Sequence, residues 1–168
     1  DSGGVANIDA FEKDIDFITN VFNSKQQYFL NKVPFNTKFS DFGAIEYDGK
    51  IYFTSSRDEG LGIKRLYGWN EQPFLDVYVV DKDTKKQADQ ASKLKGDVNS
   101  IYHDGPIAIT NDGRTMYFSR NNANELGKKN DKKGISNMKI YRATLRDSLW
   151  TDIEDLSINN KEYSTQHP

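Results

Sequence analysis

A repeated pattern of about sixty residues limits most strongly how this chain can fold. Its clearest copy lies at Asn99–Asn122 and combines an asparagine, an aromatic residue and an Asp-Gly pair with an apolar segment, a second Asp-Gly pair and a Tyr-Phe pair. An earlier copy begins at Asn36 and a third at Asn160, so the starting positions are 63 and 61 residues apart. A nearly constant period indicates an array of similar structural units.

Each copy carries the signals of antiparallel strands. Asp48-Gly49 and Asp112-Gly113 each separate two apolar segments, and such pairs favour tight hairpins because both residues tolerate a positive φ. The predicted strands lie at 44–47, 51–54, 75–80 and 91–94, and again at 107–110, 115–119, 138–145 and 150–156. We therefore predict an all-β fold of β-propeller-type, four-stranded antiparallel blades, with two blades and the start of a third.

The period is about twenty residues longer than that of a usual propeller blade. The excess lies at 56–73 and 120–137, between the second and third strands of each copy. Insertions on a rigid scaffold often carry binding functions, and flat rings with fixed donors suit a glycan or a peptide. The candidate ligand- or partner-binding residues are Arg57, Asp58, Arg65, Tyr67, Trp69 and Asn70. The alternative is that Tyr67 and Trp69 pack over their own blade and hold the insertion in place.

One α-helix is predicted before the repeats. Its apolar residues follow spacings of three and four, at Ile8, Phe11, Ile15, Ile18 and Phe22. Asp9 and Glu12 resemble a capping box, which predicts that the helix begins near Asp9. We divide the chain into a tail or linker at 1–7, the helix and its lead-in at 8–34, and a partial propeller at 35–168, with blades at 35–98 and 99–158 and a third from 159.

Composition argues against several classes of function. The net charge of −2 gives no basic footprint for nucleic acid, and a mean hydropathy of −0.79 without a long apolar segment gives no membrane insertion. Cysteine is absent, so disulfides and thiolate metal sites are excluded. Asp81 and Asp83 begin like a calcium loop but lack its glycine and closing glutamate. We predict neither a metal nor a cofactor.

The adjacent pair His103-Asp104 invites a catalytic interpretation, because a carboxylate can orient an imidazole. Adjacent residues on an extended segment point to opposite faces, however, and the first copy has Ser40-Asp41 at this place. We therefore expect both aspartates to bond backbone amides at the start of each blade, and we predict no enzyme activity. The structural residues of the repeat are Asp41, Asp48, Gly49, Asp104, Asp112 and Gly113.

The repeats resemble a known family. The matching segments are Phe42-Gly43, Tyr52–Asp58, Trp69–Tyr78, Asp112–Asn122, Lys139–Ala143 and Glu162–Pro168. Together they closely resemble the propeller region of OmpA-family cell-envelope proteins of Bacteroidetes, whose WD-repeat-like blades are similar to those of TolB and the tricorn protease. The resemblance covers residues 35–168.

The resemblance implies a non-catalytic scaffold that binds envelope proteins in the periplasm or at the outer membrane. Members of the family usually carry a C-terminal peptidoglycan-binding domain, and some take part in type 9 secretion. Because the third copy stops at Pro168, we expect a longer parent protein, and peptidoglycan binding would belong to its missing C-terminal domain. The alternatives are a glycan- or peptide-binding module and a substrate-gating propeller of a peptidase or hydrolase.

Overall fold

The computed structural model describes residues 3–24, 31–57, 66–68, 70–83, 91–124, 127–128 and 130–168. The chain divides into two compact units, Asp1–Lys32 and Val33–Pro168. Within the described ranges the architecture is mainly β, with one helix in the first unit and two four-stranded antiparallel sheets in the second. This confirms the predicted fold class at that level. No closed ring is formed by the part of the chain that the structure describes, so the propeller stays a prediction.

The first unit contains helix α1, Gly3–Asn23. It begins five residues before Ile8, so residues 3–7 of the predicted tail are helical, and Asp9 lies inside the helix rather than at its start. Val5 lies three residues before Ile8, so the helical spacing of apolar residues in the sequence extends beyond the predicted start of the helix. Four residues of the predicted apolar stripe are exposed, at 65% for Phe11, 46% for Ile15, 51% for Ile18 and 83% for Phe22. No helix among the described residues is long and apolar enough to cross a membrane.

The first sheet of the second unit has the strand order β1-β2-β3-β4. Its strands are β1 Asp41–Tyr47, β2 Lys50–Ser55, β3 Asp76–Asp81 and β4 Ser92–Lys93. Asp48 and Gly49 connect β1 to β2 with φ values of 48° and 69°, which confirms the predicted tight turn.

The second sheet repeats this arrangement in the order β5-β6-β9-β10. Its strands are β5 Asp104–Ile109, β6 Thr115–Asn121, β9 Met138–Arg146 and β10 Leu149–Asp155. The second insertion contains a short ribbon that the sequence did not predict, formed by β7 Ala123–Asn124 and β8 Gly127–Lys128. Both inner hairpins have a register shift near their first residue, between Phe42 and Ile45 and between Asp104 and Ile107. The two sheets therefore share strand order and the position of an irregularity.

The main core lies between the two sheets. It is formed by Tyr52, Val77, Leu94, Val98, Ile107, Met116, Phe118, Ala143 and Trp150. The sheets approach closely at Gly105, where φ is 94° and an added Cβ would collide with the side chain of Thr54. A second, smaller cluster lies on the opposite face of the first sheet and contains Phe35, Phe53, Tyr78 and Val80. Burial of apolar surface on both faces of the first sheet is the main stabilising contribution that these contacts supply.

Candidate functional sites

A buried ion pair, which we call the first anchor, joins Asp41 to Arg57. Arg57 is only 2% exposed, and its Nη2 donates to Asp41 Oδ1 at 2.7 Å and to the carbonyl oxygen of Phe35 at 2.8 Å. The guanidinium carbon lies 4.8 Å from the ring centroid of Phe53 and 5.5 Å from that of Tyr78. Arginine in this position is held by hydrogen bonds on one side and by ring faces on the other.

The second sheet contains the same construction, the second anchor, formed by Asp104 and Arg120. Arg120 Nε donates to Asp104 Oδ1 at 2.6 Å, and its Nη2 donates to the carbonyl oxygen of Val98 at 2.6 Å. The guanidinium carbon lies 4.9 Å from the ring centroid of Phe118 and 5.5 Å from that of Tyr141. Each repeat therefore places one arginine over two stacked aromatic rings, and this arginine is buried in the first anchor and 14% exposed in the second.

The arginines were not found as a repeated element from the sequence because they occupy different places relative to the Tyr-Phe pair. Across the strand pair, Asp104 faces Arg120, whereas Asp41 faces Ser55 and its arginine lies two residues further on. The constant signal is the distance along the chain from aspartate to arginine, which is 16 residues in both anchors.

The two carboxylates also accept backbone amides at the start of each repeat, as we expected. The Thr37 N–H donates to Asp41 Oδ2 at 2.7 Å, and the Ser100 N–H donates to Asp104 Oδ2 at 2.5 Å. Ser55 adds a hydroxyl donor to Asp41 at 2.6 Å. The aspartates therefore fix the chain that leads into each sheet, in addition to neutralising an arginine.

The two anchors differ in electrostatics. Burial raises the pKa of Asp104 to about 6, because the pull of Arg120 and the Ser100 amide does not offset the complete loss of solvent. Burial acts in the same direction on Asp41, but hydrogen bonds from Ser55, Arg57 and Thr37 outweigh it and lower the pKa of that carboxyl. The anchor whose carboxylate is fully buried is therefore the one in which the charged form of that carboxylate is less favoured.

His103 belongs to an aromatic cluster beside the second anchor. Its Nδ1 accepts the Leu75 N–H at 3.1 Å, and its ring centroid lies 4.6 Å from those of Tyr67 and Phe74. The Asp104 carboxylate meanwhile holds the second anchor. These contacts give His103 a packing role and the acceptor role at Nδ1.

The first insertion differs from the binding loop that the sequence suggested. Arg57 is a correction, because it is buried in the first anchor rather than presented to a ligand. Tyr67 packs edge-on against His103 of the following repeat, which ties the insertion to that repeat as well as to its own. Asn70 Oδ1 accepts the Gln72 N–H at 3.1 Å and serves a turn. Asp58, Arg65 and Trp69 lie outside the described residues.

The third copy of the repeat begins one residue earlier than the sequence indicated. The side-chain amide of Asn99 brackets Val77, accepting its N–H at 2.7 Å and donating to its carbonyl oxygen at 2.9 Å. Asn159 brackets Ile140 in the same way, at 2.9 Å and 2.6 Å. Asn160 instead accepts the Glu162 N–H, the bond that Ser100 makes to Tyr102 in the preceding copy. The pattern placed Asn160 first because an aromatic residue follows it at the expected spacing.

Comparison with protein-family models, curated proteins and solved structures gives no match to this chain. Among the residues that the structure describes, no three histidine or carboxylate side chains converge in a way that could hold a metal ion. Assignment of a function therefore depends on the geometry of the repeats and on the resemblance carried by their residues.

Proposed function

We propose that this chain is a non-catalytic segment of a β-propeller and serves as a scaffold for protein partners in the cell envelope. The observation that carries the proposal is the asparagine bracket, by which we mean two hydrogen bonds between one asparagine side-chain amide and the N–H and carbonyl oxygen of one strand residue. Asn99 makes this bracket to the first sheet and Asn159 makes it to the second. Each bracket joins the start of one repeat to the third strand of the preceding sheet. A junction that recurs in this way is what an array of successive blades requires.

Backbone hydrogen bonds at the start of the second and third copies support the same junction between successive repeats. The Asp104 N–H donates to the carbonyl oxygen of Leu75 at 2.8 Å, just before strand β3. The Thr165 N–H donates to the carbonyl oxygen of Met138 at 2.9 Å, at the start of strand β9. The third copy therefore meets the second sheet as the second copy meets the first.

The following residues continue the similarity. Gly105 lies against the Thr54 side chain, and the His167 N–H donates to the Ser119 hydroxyl at 3.0 Å. Thr54 pairs across the sheet with Val77, and Ser119 pairs with Ile140, so the two hydroxyl residues are equivalent. A third sheet related to the second sheet as the second is related to the first would cover the face of the second sheet that carries Ser119.

A scaffold role agrees with the use of the polar residues. The arginines and aspartates of the two anchors hold the leading segment of each repeat, and His103 packs among aromatic rings. The resemblance to OmpA-family envelope proteins adds the proposed location in the periplasm or at the outer membrane, and envelope proteins as partners. Type 9 secretion machinery is a proposed setting on the same basis, and peptidoglycan contact would belong to a further domain of the parent.

Site-specific photo-crosslinking of the parent protein in intact cells tests the scaffold. We would place the crosslinker at Ile158, which is 56% exposed, and at Lys133 on the second insertion, and then separate the envelope fractions. The expected result is a defined adduct with an envelope protein from at least one position. A parent protein that fractionates with the cytosol, or that forms no adduct from either position, would contradict the proposal.

A further inference from the structure

A cavity of about 550 Å³ opens between the two sheets at the end that carries the Asp48-Gly49 turn. Its walls include β2 and the segment after β4 from the first repeat, and the β9–β10 hairpin from the second. Cavities of this volume between packed elements are of the size that holds a small molecule. The residues of the two anchors do not line this cavity, so it is separate from them.

Three buried residues give the cavity an apolar and aromatic part. Tyr52, Leu94 and Trp150 belong to the main core and also line this space. The Tyr52 hydroxyl forms no hydrogen bond within the described part of the chain, although the residue is only 9% exposed. Burial, followed by the nearby charge of Asp48, raises the pKa of that hydroxyl, so it remains a neutral donor at physiological pH.

Positively and negatively charged side chains line the rest of the cavity. Lys93 pairs with Asp76 at 2.6 Å, whereas Lys50 and Lys95 form no ion pair within the described residues. Asp48 and Asp81 line the same space. The two lysines attract an anion, and the two carboxylates oppose a ligand of high negative charge.

We propose that this cavity binds a small ligand that carries one carboxylate together with hydrogen-bond donors. The carboxylate accepts the Tyr52 hydroxyl and is attracted by the lysines that line the cavity, while Asp48 or Asp81 accepts the ligand's hydroxyl or amide donors. The apolar edge of the ligand contacts Leu94 and Trp150. Sugar acids and peptide carboxyl termini share this chemistry, and it adds a ligand site that the scaffold role does not require.

Isothermal titration calorimetry of the 168-residue chain distinguishes the two sources of the carboxylate, sugar acids and peptide carboxyl termini. The probes are D-glucuronate with D-glucose as its neutral counterpart, and acetyl-glycyl-glycine with its C-terminal amide. We expect at least one carboxylate to bind with a dissociation constant of about 1 mM or below, and its neutral counterpart to bind at least about tenfold more weakly. The carboxylate that binds identifies the source of the ligand.

Variants connect binding to the cavity. Lys95→Gln and Tyr52→Phe are each expected to weaken carboxylate binding by about fivefold or more. The first removes a positive charge, the second removes the hydroxyl donor, and both nearly keep the size of the side chain. Lys133 is an exposed lysine on the second insertion, so Lys133→Gln is the matched control. This variant is expected to bind the carboxylate as the unsubstituted chain does. Thermal unfolding of every variant checks that the fold is retained.

Three results would overturn the proposal. The first is the absence of binding by both carboxylates up to about 10 mM, and the second is equal binding of a carboxylate and its neutral counterpart. The third is a Lys95→Gln or Tyr52→Phe variant that folds and binds like the Lys133→Gln control. None of these outcomes depends on partner binding, so they are independent of the scaffold proposal.

Discussion

Replacement of Arg57 by alanine tests whether the first anchor stabilises the fold. Arg57 and Asp41 are 2% and 10% exposed, and the 2.7 Å bond between them lies under two ring faces. Removing one partner from a buried pair leaves an uncompensated charge, which typically costs about 3–5 kcal/mol. A single domain is stable by roughly 5–15 kcal/mol, so we expect a large fraction of the free energy of unfolding to be lost.

A matched control is available in the same sheet. Lys82 Nζ lies 2.6 Å from Glu46 Oε1, but both side chains are about half exposed. Because water screens such pairs and already satisfies their charges, we expect Lys82→Ala to leave stability almost unchanged. The two substitutions therefore compare pairs of nearly equal length that differ in burial.

Urea unfolding of the 168-residue chain, monitored by tyrosine and tryptophan fluorescence, measures both effects. The Asp41→Asn variant and the double variant with Arg57→Ala complete a thermodynamic cycle, and we expect the double variant to lose less than the sum of the single losses. A loss for Arg57→Ala below about 1 kcal/mol, or strict additivity in the cycle, would refute the claim that the anchor acts as a buried, coupled unit.

Three further outcomes follow from the geometry. Burial raises the pKa of Asp104 to about 6 from an ordinary 3.8, which contributes stability below pH 4 that is lost as pH rises through 6. Urea unfolding at several pH values should therefore show the wild type losing about 3 kcal/mol relative to Asp104→Asn between pH 3 and pH 7, and parallel curves for the two proteins would contradict this. Asn159→Ala should lower the urea midpoint clearly more than Asn160→Ala, since Asn159 makes two hydrogen bonds to the backbone of Ile140. Equal midpoints for the two variants would contradict the assignment of Asn159 as the first residue of the third copy. Gly105→Ala should reduce the thermal midpoint strongly, because φ is 94° and Thr54 occupies the place of the new methyl group, and an unchanged midpoint would refute the close approach.

The strands and their turns could be predicted because their signals are local. Asp48-Gly49 sits between two apolar segments, and its backbone conformation depends on the two residues themselves. The helix was found for the same reason, from the spacing of its apolar residues, while its first residues were missed because the weaker signal around Val5 was not counted.

The role of Arg57 could not be predicted, because a charged residue at the beginning of an insertion is usually exposed. Its burial depends on Asp41, Phe53 and Tyr78, which come from three different strands and meet only when the sheet has formed. His103 was ambiguous for a similar reason, since its neighbours Tyr67 and Phe74 are distant along the chain.

By itself the sequence determined the repeat, the strand content and the tight turns, because periodicity and turn chemistry depend on near neighbours. Only the tertiary structure decided which arginines are buried and which of two adjacent asparagines begins the third copy. The choice of Asn159 over Asn160 depends on which side-chain amide reaches the backbone of Ile140, on a strand about twenty residues away. Such contacts form only when segments that are distant along the chain meet on the folded sheet, and signals from near neighbours in the sequence do not contain that information.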